Sequence, residues 1–202
     1  AYVSGLEKLA ARGGDVKKIA SVASFFISRI DTLVDSLLEA KLKEAAAPMD
    51  KAALQSLMGK VAIANARMAY WKFQEVFFSP RFQALREKGG KVQRLLWGST
   101  GTKNPKFPDT YYVDELIGPD TVNTMPAATF NAFREHGRLR NSLVEGIEEA
   151  RATMGLLADC KIDIQEVSRK LLADGVRLFL DSFGQLMGVI SRKREELLGP
   201  KL

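Results

Sequence analysis

The hydrophobic positions follow two rhythms, a helical one and a shorter strand-like one. Tyr2, Leu6, Leu9 and Ala10 share one helical face, and Gly13-Gly14 closes that helix. Residues 19–27 (IASVASFFI) form a short apolar run with β-branched and aromatic side chains, followed by polar Ser28-Arg29. That pattern predicts a strand buried on both faces. Residues 31–47 read as a helix with Leu33, Val34, Leu37, Leu38 and Leu42 inward; Pro48 breaks it, and Asp50 is placed to cap the next one. Leu54, Leu57, Val61, Ala64, Met68 and Trp71 then step by three and four, which predicts one long helix over 51–78, ended by Pro80. A shorter helix runs to Lys88 and is closed by Gly89-Gly90.

Residues 92–97 predict a second strand that runs into a small, polar loop, 98–105 (GSTGTKNP), and residues 121–124 predict a third. Thr124 is placed to cap a helix with Pro126 in its first turn and His136 near its end. Leu143, Ile147, Ala150, Met154 and Leu157 stripe the next helix; Val176, Phe179, Phe183, Leu186 and Ile190 stripe the last. Strands alternating with long helices imply βα units and a parallel sheet. Three strands are too few for a closed α/β fold, and a full barrel needs about 250 residues. The expectation is three βα units of a larger sheet or barrel with a helical tail, as a single domain over 1–202. The opening residues read as the middle of a helix, so the chain is expected to be a piece of something longer.

Composition narrows the chemistry. Of 202 residues, 46% are hydrophobic and 27% charged, with eleven Phe, which excludes wholesale disorder. Cys160 is the only cysteine and His136 the only histidine, leaving no disulfide framework, no multi-cysteine zinc site and no histidine cluster for a metal. One cysteine fits a reducing compartment, hence a cytoplasmic location. No segment approaches the about 18 uninterrupted apolar residues of a membrane span. The net charge is +6, yet the basic residues lie among acids on helix faces, so a nucleic-acid surface is not indicated.

In parallel α/β folds ligands lie at the carboxyl ends of the strands. Three polar clusters fall there: Ser24, Ser28 and Arg29; Ser99, Thr100, Thr102, Lys103 and Asn104; and Asn123 with Thr124. The first two each place hydroxyls and a cation where a strand turns toward a helix. That combination suits a phosphorylated ligand, with Arg a bidentate fork and Lys a point charge. A surface loop is the plain alternative for either cluster alone. Lys103 as a Schiff-base lysine is the weaker reading, because its glycine-rich polar loop does not desolvate it. Asp114-Glu115 reads as helix N-terminal charge and His136 as a C-terminal dipole partner. Cys160 reads as an ordinary thiol, and Trp71 and Phe77 as core.

Residues 21–35 (SVASFFISRIDTLVD), 94–105 (RLLWGSTGTKNP) and 112–133 (YVDELIGPDTVNTMPAATFNAF) resemble transaldolases over nearly the whole chain, to about Ile190. With 59–73 (GKVAIANARMAYWKF), the nearest likeness is to the bacterial branch that also occurs fused to a phosphoglucose isomerase. The resemblance implies a (β/α)8 barrel that transfers a dihydroxyacetone unit between sugar phosphates in the pentose phosphate pathway. It implies no cofactor: a lysine on the fourth strand forms the Schiff base, and carboxylates on the first and third strands move protons. Carried onto this sequence, the sixth-strand motif is Ser24, Phe26 and Arg29, and the seventh-strand motif is Ser99 followed by Lys103, with an insertion at Gly101-Thr102. The eighth strand is 120–124.

On that alignment the chain begins in the fifth helix, and the Schiff-base lysine and both carboxylates precede Ala1. The expected partners are sugar phosphates, with no nucleic acid and no membrane. Homo-oligomerisation of a full-length form stays open. Two rival readings also stay open: a non-catalytic sugar-phosphate binding protein, and one half of a split enzyme.

Overall fold

The structure is a computed structural model, and it describes residues 1–199. These fall into two compact units, Ala1–Ile162 and a second that starts at Asp163.

The first unit is built on a three-stranded parallel sheet: β1 (Ser21–Phe26), β2 (Gln93–Gly98) and β3 (Thr121–Asn123), in that spatial order. Ser24 pairs with Leu96, Phe26 with Gly98, and Trp97 with Asn123, so the carboxyl ends lie together. All three predicted strands are present, but β1 is not buried on both faces. Its burial alternates residue by residue, with Val22 40% and Phe26 41% exposed. Within the first unit, helices cover one face of the sheet. There Phe25 meets Trp97 edge-on at 5.6 Å, and the buried Trp97 indole N–H donates to the Leu116 carbonyl at 3.1 Å. On the opposite face Val22, Ser24 and Phe26 of β1 are exposed, and among the described residues β1 and β3 are the edge strands.

Helix α1 (Tyr2–Ala11) precedes β1, and α2 (Ile27–Glu44) follows it without a loop. The long helix expected over 51–78 is two helices, α3 (Pro48–Leu57) and α4 (Val61–Phe77). The break is at Gly59, whose φ of +69° is costly for any residue with a Cβ. Apolar periodicity continues through it, so spacing alone hides the turn. Pro48 opens α3 at its first position rather than merely ending α2, and Asp50 lies in the first turn, not at the cap.

Ser79 caps α5 (Pro80–Glu87) by accepting from Phe82 N–H. The short α6 (Tyr111–Glu115), absent from the sequence reading, lies between β2 and β3. Helix α7 (Ala127–His136) starts after Pro126 with no side-chain cap, because Thr124 Oγ1 instead donates to the Trp97 carbonyl at 3.2 Å. Leu143 lies in a 3-10 turn, Ser142–Val144, ahead of α8 (Ile147–Asp159). Helix α4 packs against α2 and α8, and Val61, Ala62, Ala66 and Phe73 are buried in it.

The second unit is the helix α9 (Ile164–Leu198), capped by Asp163, which accepts from Gln165 N–H at 2.8 Å. The predicted stripe of Val176, Phe179, Phe183, Leu186 and Ile190 is exposed along it. Among the described residues no helix is long and apolar enough to cross a membrane.

Candidate functional site

The carboxyl ends of β1 and β2 meet through one backbone bond, Ser28 N–H to the Ser99 carbonyl at 3.0 Å. Ser28 is in the first turn of α2, whose N-terminus carries no side-chain cap. Ser28 N–H is spent on Ser99; what that end of the helix still offers is its neighbouring first-turn N–H groups and the positive end of its dipole. Ser28 itself is 2% exposed, and its hydroxyl has no hydrogen-bond partner among the described residues.

Arg29 follows, with its guanidinium carbon 4.7 Å from the centroid of the Phe26 ring. Phe26 pairs with Gly98 on β2, and a Cβ on Gly98 would stand 3.4 Å from the Phe26 ring, at van der Waals contact. Ser24 is exposed on the open face of β1, one pleat before Phe26 on the same side. Ser99 adopts φ +53°, a left-handed conformation uncommon for a residue with a side chain. The sharp turn aims its carbonyl at Ser28.

The structure therefore brings Phe26, Ser28, Arg29 and Ser99 together, with Ser24 on the adjoining sheet face. Thr100 is fully buried and donates to Asn123 Oδ1 at 2.7 Å, tying β2 to β3. Lys103 lies in the 99–110 loop that leaves this end of β2; it is exposed, and among the described residues it forms no ion pair. Asn104 Oδ1 accepts from Lys106 N–H at 3.0 Å, a local turn contact.

Sequence reasoning missed a buried group beside this cluster. Asp31 is 3% exposed and accepts from Ala62 N–H and from the Tyr112 hydroxyl, both at 2.8 Å. Burial outweighs these two bonds and pushes its carboxyl up to about 6. Burial, with help from Asp31, also raises Tyr112 and takes Tyr111 up to about 12. The signal was its position: Asp31 sits four residues after Ile27 and three before Val34, on the buried stripe of α2.

The other sequence candidates have structural roles. Asp114 accepts from the Thr110 hydroxyl and from Arg138 N–H, as suits the first turn of α6. Glu115 is not a terminal dipole charge: it bridges Arg67, at 2.6 Å, and Arg140 beside a cleft of about 430 Å³. His136, in the last turn of α7, pairs with exposed Asp109 at 2.8 Å, which raises the imidazole and lowers the carboxylate. Phe77 is core, while half-buried Trp71 carries the Arg151 guanidinium 4.7 Å over its ring. Burial raises the Cys160 thiol. No cluster of metal-ligating side chains occurs among the described residues.

Residues 5–190 match the transaldolase/fructose-6-phosphate aldolase family. The chain belongs to this family. It is 46% identical to a transaldolase of Trichodesmium erythraeum over 199 residues, which is 98% of this chain and 52% of that protein. It is 47% identical to transaldolase 2 of a Nostoc species over 99% of this chain and 53% of that one. With a transaldolase of Frankia alni it shares 46% over 96% of this chain and 50% of that protein. The chain spans about half the length of these transaldolase-family relatives.

Proposed function

We propose that this chain supplies the phosphate-holding side of a transaldolase active site. The reaction is transfer of a dihydroxyacetone unit from a ketose phosphate, such as fructose 6-phosphate or sedoheptulose 7-phosphate, to an aldose phosphate. Arg29 and Lys103 hold the phosphate, Ser24 and Ser99 hydrogen-bond to it or to the sugar, and Phe26 lines the site. One observation carries the reading. Arg29, stacked on Phe26, stands at the carboxyl end of β1, where the first turn of α2 is bonded to Ser99 of the neighbouring strand. A guanidinium beside an uncapped helix N-terminus is a strong anion site.

In this reading β1, β2 and β3 are the last three strands of an eight-stranded barrel, and residues 1–202 are the C-terminal portion of that one domain. The Schiff-base lysine and the two carboxylates belong to strands outside these residues. Two features support this. Among the described residues the sheet ends at β1 and β3 with no further strand beside either, and one face of β1 exposes Val22, Ser24 and Phe26 where a barrel would have its interior.

The test has two steps. The chain alone should bind fructose 6-phosphate and not fructose, and borohydride should trap no sugar on it. Mixing or co-expression with the first half of a full-length relative, such as the one from Trichodesmium erythraeum, should then give turnover and a borohydride adduct on the added half. Equal binding of fructose and fructose 6-phosphate would remove the phosphate role. Turnover by the chain alone, with an adduct on Lys103, would overturn the division of labour.

A further inference from the structure

Two carboxylates one turn apart on α2 bind backbone and side chains from three other segments. Asp31 Oδ1 accepts from Ala62 N–H in the first turn of α4, and its Oδ2 accepts from the Tyr112 hydroxyl of α6, both at 2.8 Å. Asp35 Oδ1 accepts from Gly59 N–H at 2.9 Å in the α3–α4 turn. The Gly59 carbonyl in turn accepts from the Tyr111 hydroxyl at 3.1 Å. These four bonds lock α2, the start of α4 and α6 into one frame.

The two proposed phosphate cations attach to different parts of that frame. Arg29 is in the first turn of α2, two residues before Asp31. Lys103 lies in the loop that ends at Thr110, directly before α6. The Ser28–Ser99 bond fixes where that loop begins, and nothing in that bond fixes where it ends. Asp31 helps to fix that end through Tyr112, together with Tyr111 on the Gly59 carbonyl and His136 on Asp109, and of these three only Asp31 lies on the same helix as Arg29.

We propose that Asp31 is a positioning residue for phosphate recognition: it sets the spacing between Arg29 on α2 and the 99–110 loop that carries Lys103. A helix N-terminus such as that of α4 can be capped by a neutral Asn or Ser. A buried carboxylate carries a desolvation cost that such a cap avoids. What the carboxylate adds is two strong acceptors that hold donors from two separate elements at once. This inference rests on the proposed function.

The experiment uses the full chain with inorganic phosphate, fructose 6-phosphate and fructose as probes. Asp31→Asn keeps the shape and the Oδ1 acceptor but removes the charge. Tyr112→Phe is the milder partner, since it removes one donor and leaves Asp31 in place. Both variants should bind inorganic phosphate and fructose 6-phosphate about tenfold more weakly, the size of one misaligned charge-assisted contact. The Arg29 side-chain N–H resonance should also shift or broaden in the unliganded variants. Unchanged phosphate affinity in folded Tyr112→Phe or Asp31→Asn, with only stability altered, would overturn the inference and leave the proposed function standing. Failure of the unaltered chain to bind phosphate, or an Arg29→Ala chain that binds as well, would instead remove the proposed function, and this inference with it.

Discussion

The guanidinium carbon of Arg29 lies 4.7 Å from the centroid of the Phe26 ring, three residues earlier in the chain. The two residues straddle the point where β1 becomes α2 with no intervening loop. Stacking on an aromatic face leaves the in-plane N–H groups of a guanidinium free to donate. Phe26 thus holds Arg29 in place without using the donors that a phosphate needs.

Replacing Arg29 with Ala should therefore weaken fructose 6-phosphate binding by about 1.5–3 kcal/mol, the span for hydrogen bonds to charged groups. Arg29→Lys should recover only part of this, because an ammonium neither stacks on the ring as well nor donates as a fork. Titration calorimetry of the two variants against the unaltered chain measures both. Identical affinities for Arg29→Ala and the parent would exclude Arg29 from the phosphate site.

The strands and the strand-end clusters were legible in the sequence because their signals are local. A short β-branched and aromatic run followed by Ser-Arg marks β1, and a run into Gly-Ser-Thr-Gly marks the end of β2. What escaped was set by contacts distant in sequence. The turn at Gly59 keeps the apolar spacing of its flanking helices, and what holds it is Asp35 on α2 and Tyr111 on α6. Asp31 looked like one more helical carboxylate until Tyr112, 81 residues away, came to meet it. Burial on both faces was expected of β1 from its apolar content, but only a sheet covered by helices on both sides or closed into a barrel can provide it.

Gly59 is a second place where one residue decides local geometry. Its φ is +69°, and an added Cβ would stand 2.2 Å from the Phe107 ring, which itself stacks on Tyr111 at 4.8 Å. Gly59→Ala should destabilise the chain by about 2–3 kcal/mol, combining the left-handed backbone cost with displacement of Phe107. Urea denaturation with an unchanged m-value would show this as a lower midpoint. A midpoint equal to that of the parent would mean that the turn can relax.

Glu115 joins Arg67 and Arg140, and the Arg67 side chain is only 11% exposed. The Arg67 Nε has no hydrogen-bond partner among the described residues. Glu115→Ala should cost about 2 kcal/mol, because it leaves a largely buried guanidinium without its carboxylate. Added salt should change this loss little, since the Arg67 pair is mostly shielded from solvent. A loss that disappears at high salt would identify the bridge as a surface pair.

Asp31 makes the stability of the folded chain fall as pH rises. Its ordinary value is 3.8, and burial carries it to about 6 in the folded chain. Between those values the folded chain holds a proton that the unfolded chain has shed. Stability from this group is therefore full below about pH 4 and lost as pH rises through 6, a change of about 3 kcal/mol for a shift of about two units. Asp35, also raised by burial, adds in the same direction, whereas Glu7 and Asp109, lowered by Arg81 and His136, oppose it. Comparing the chain with Asp31→Asn cancels the remote groups Glu7 and Asp109 and leaves Asp31 with its coupled neighbour Asp35. An amide resembles the protonated acid in carrying no charge, so the two proteins should be closest in stability near pH 4. The variant should then gain on the parent by about 2–3 kcal/mol at pH 7, read from urea midpoints in a buffer free of phosphate. Stability curves that run parallel from pH 4 to 7 would show that Asp31 titrates as an ordinary carboxylate. Asp31 would then impose no desolvation cost that a neutral cap on α4 avoids.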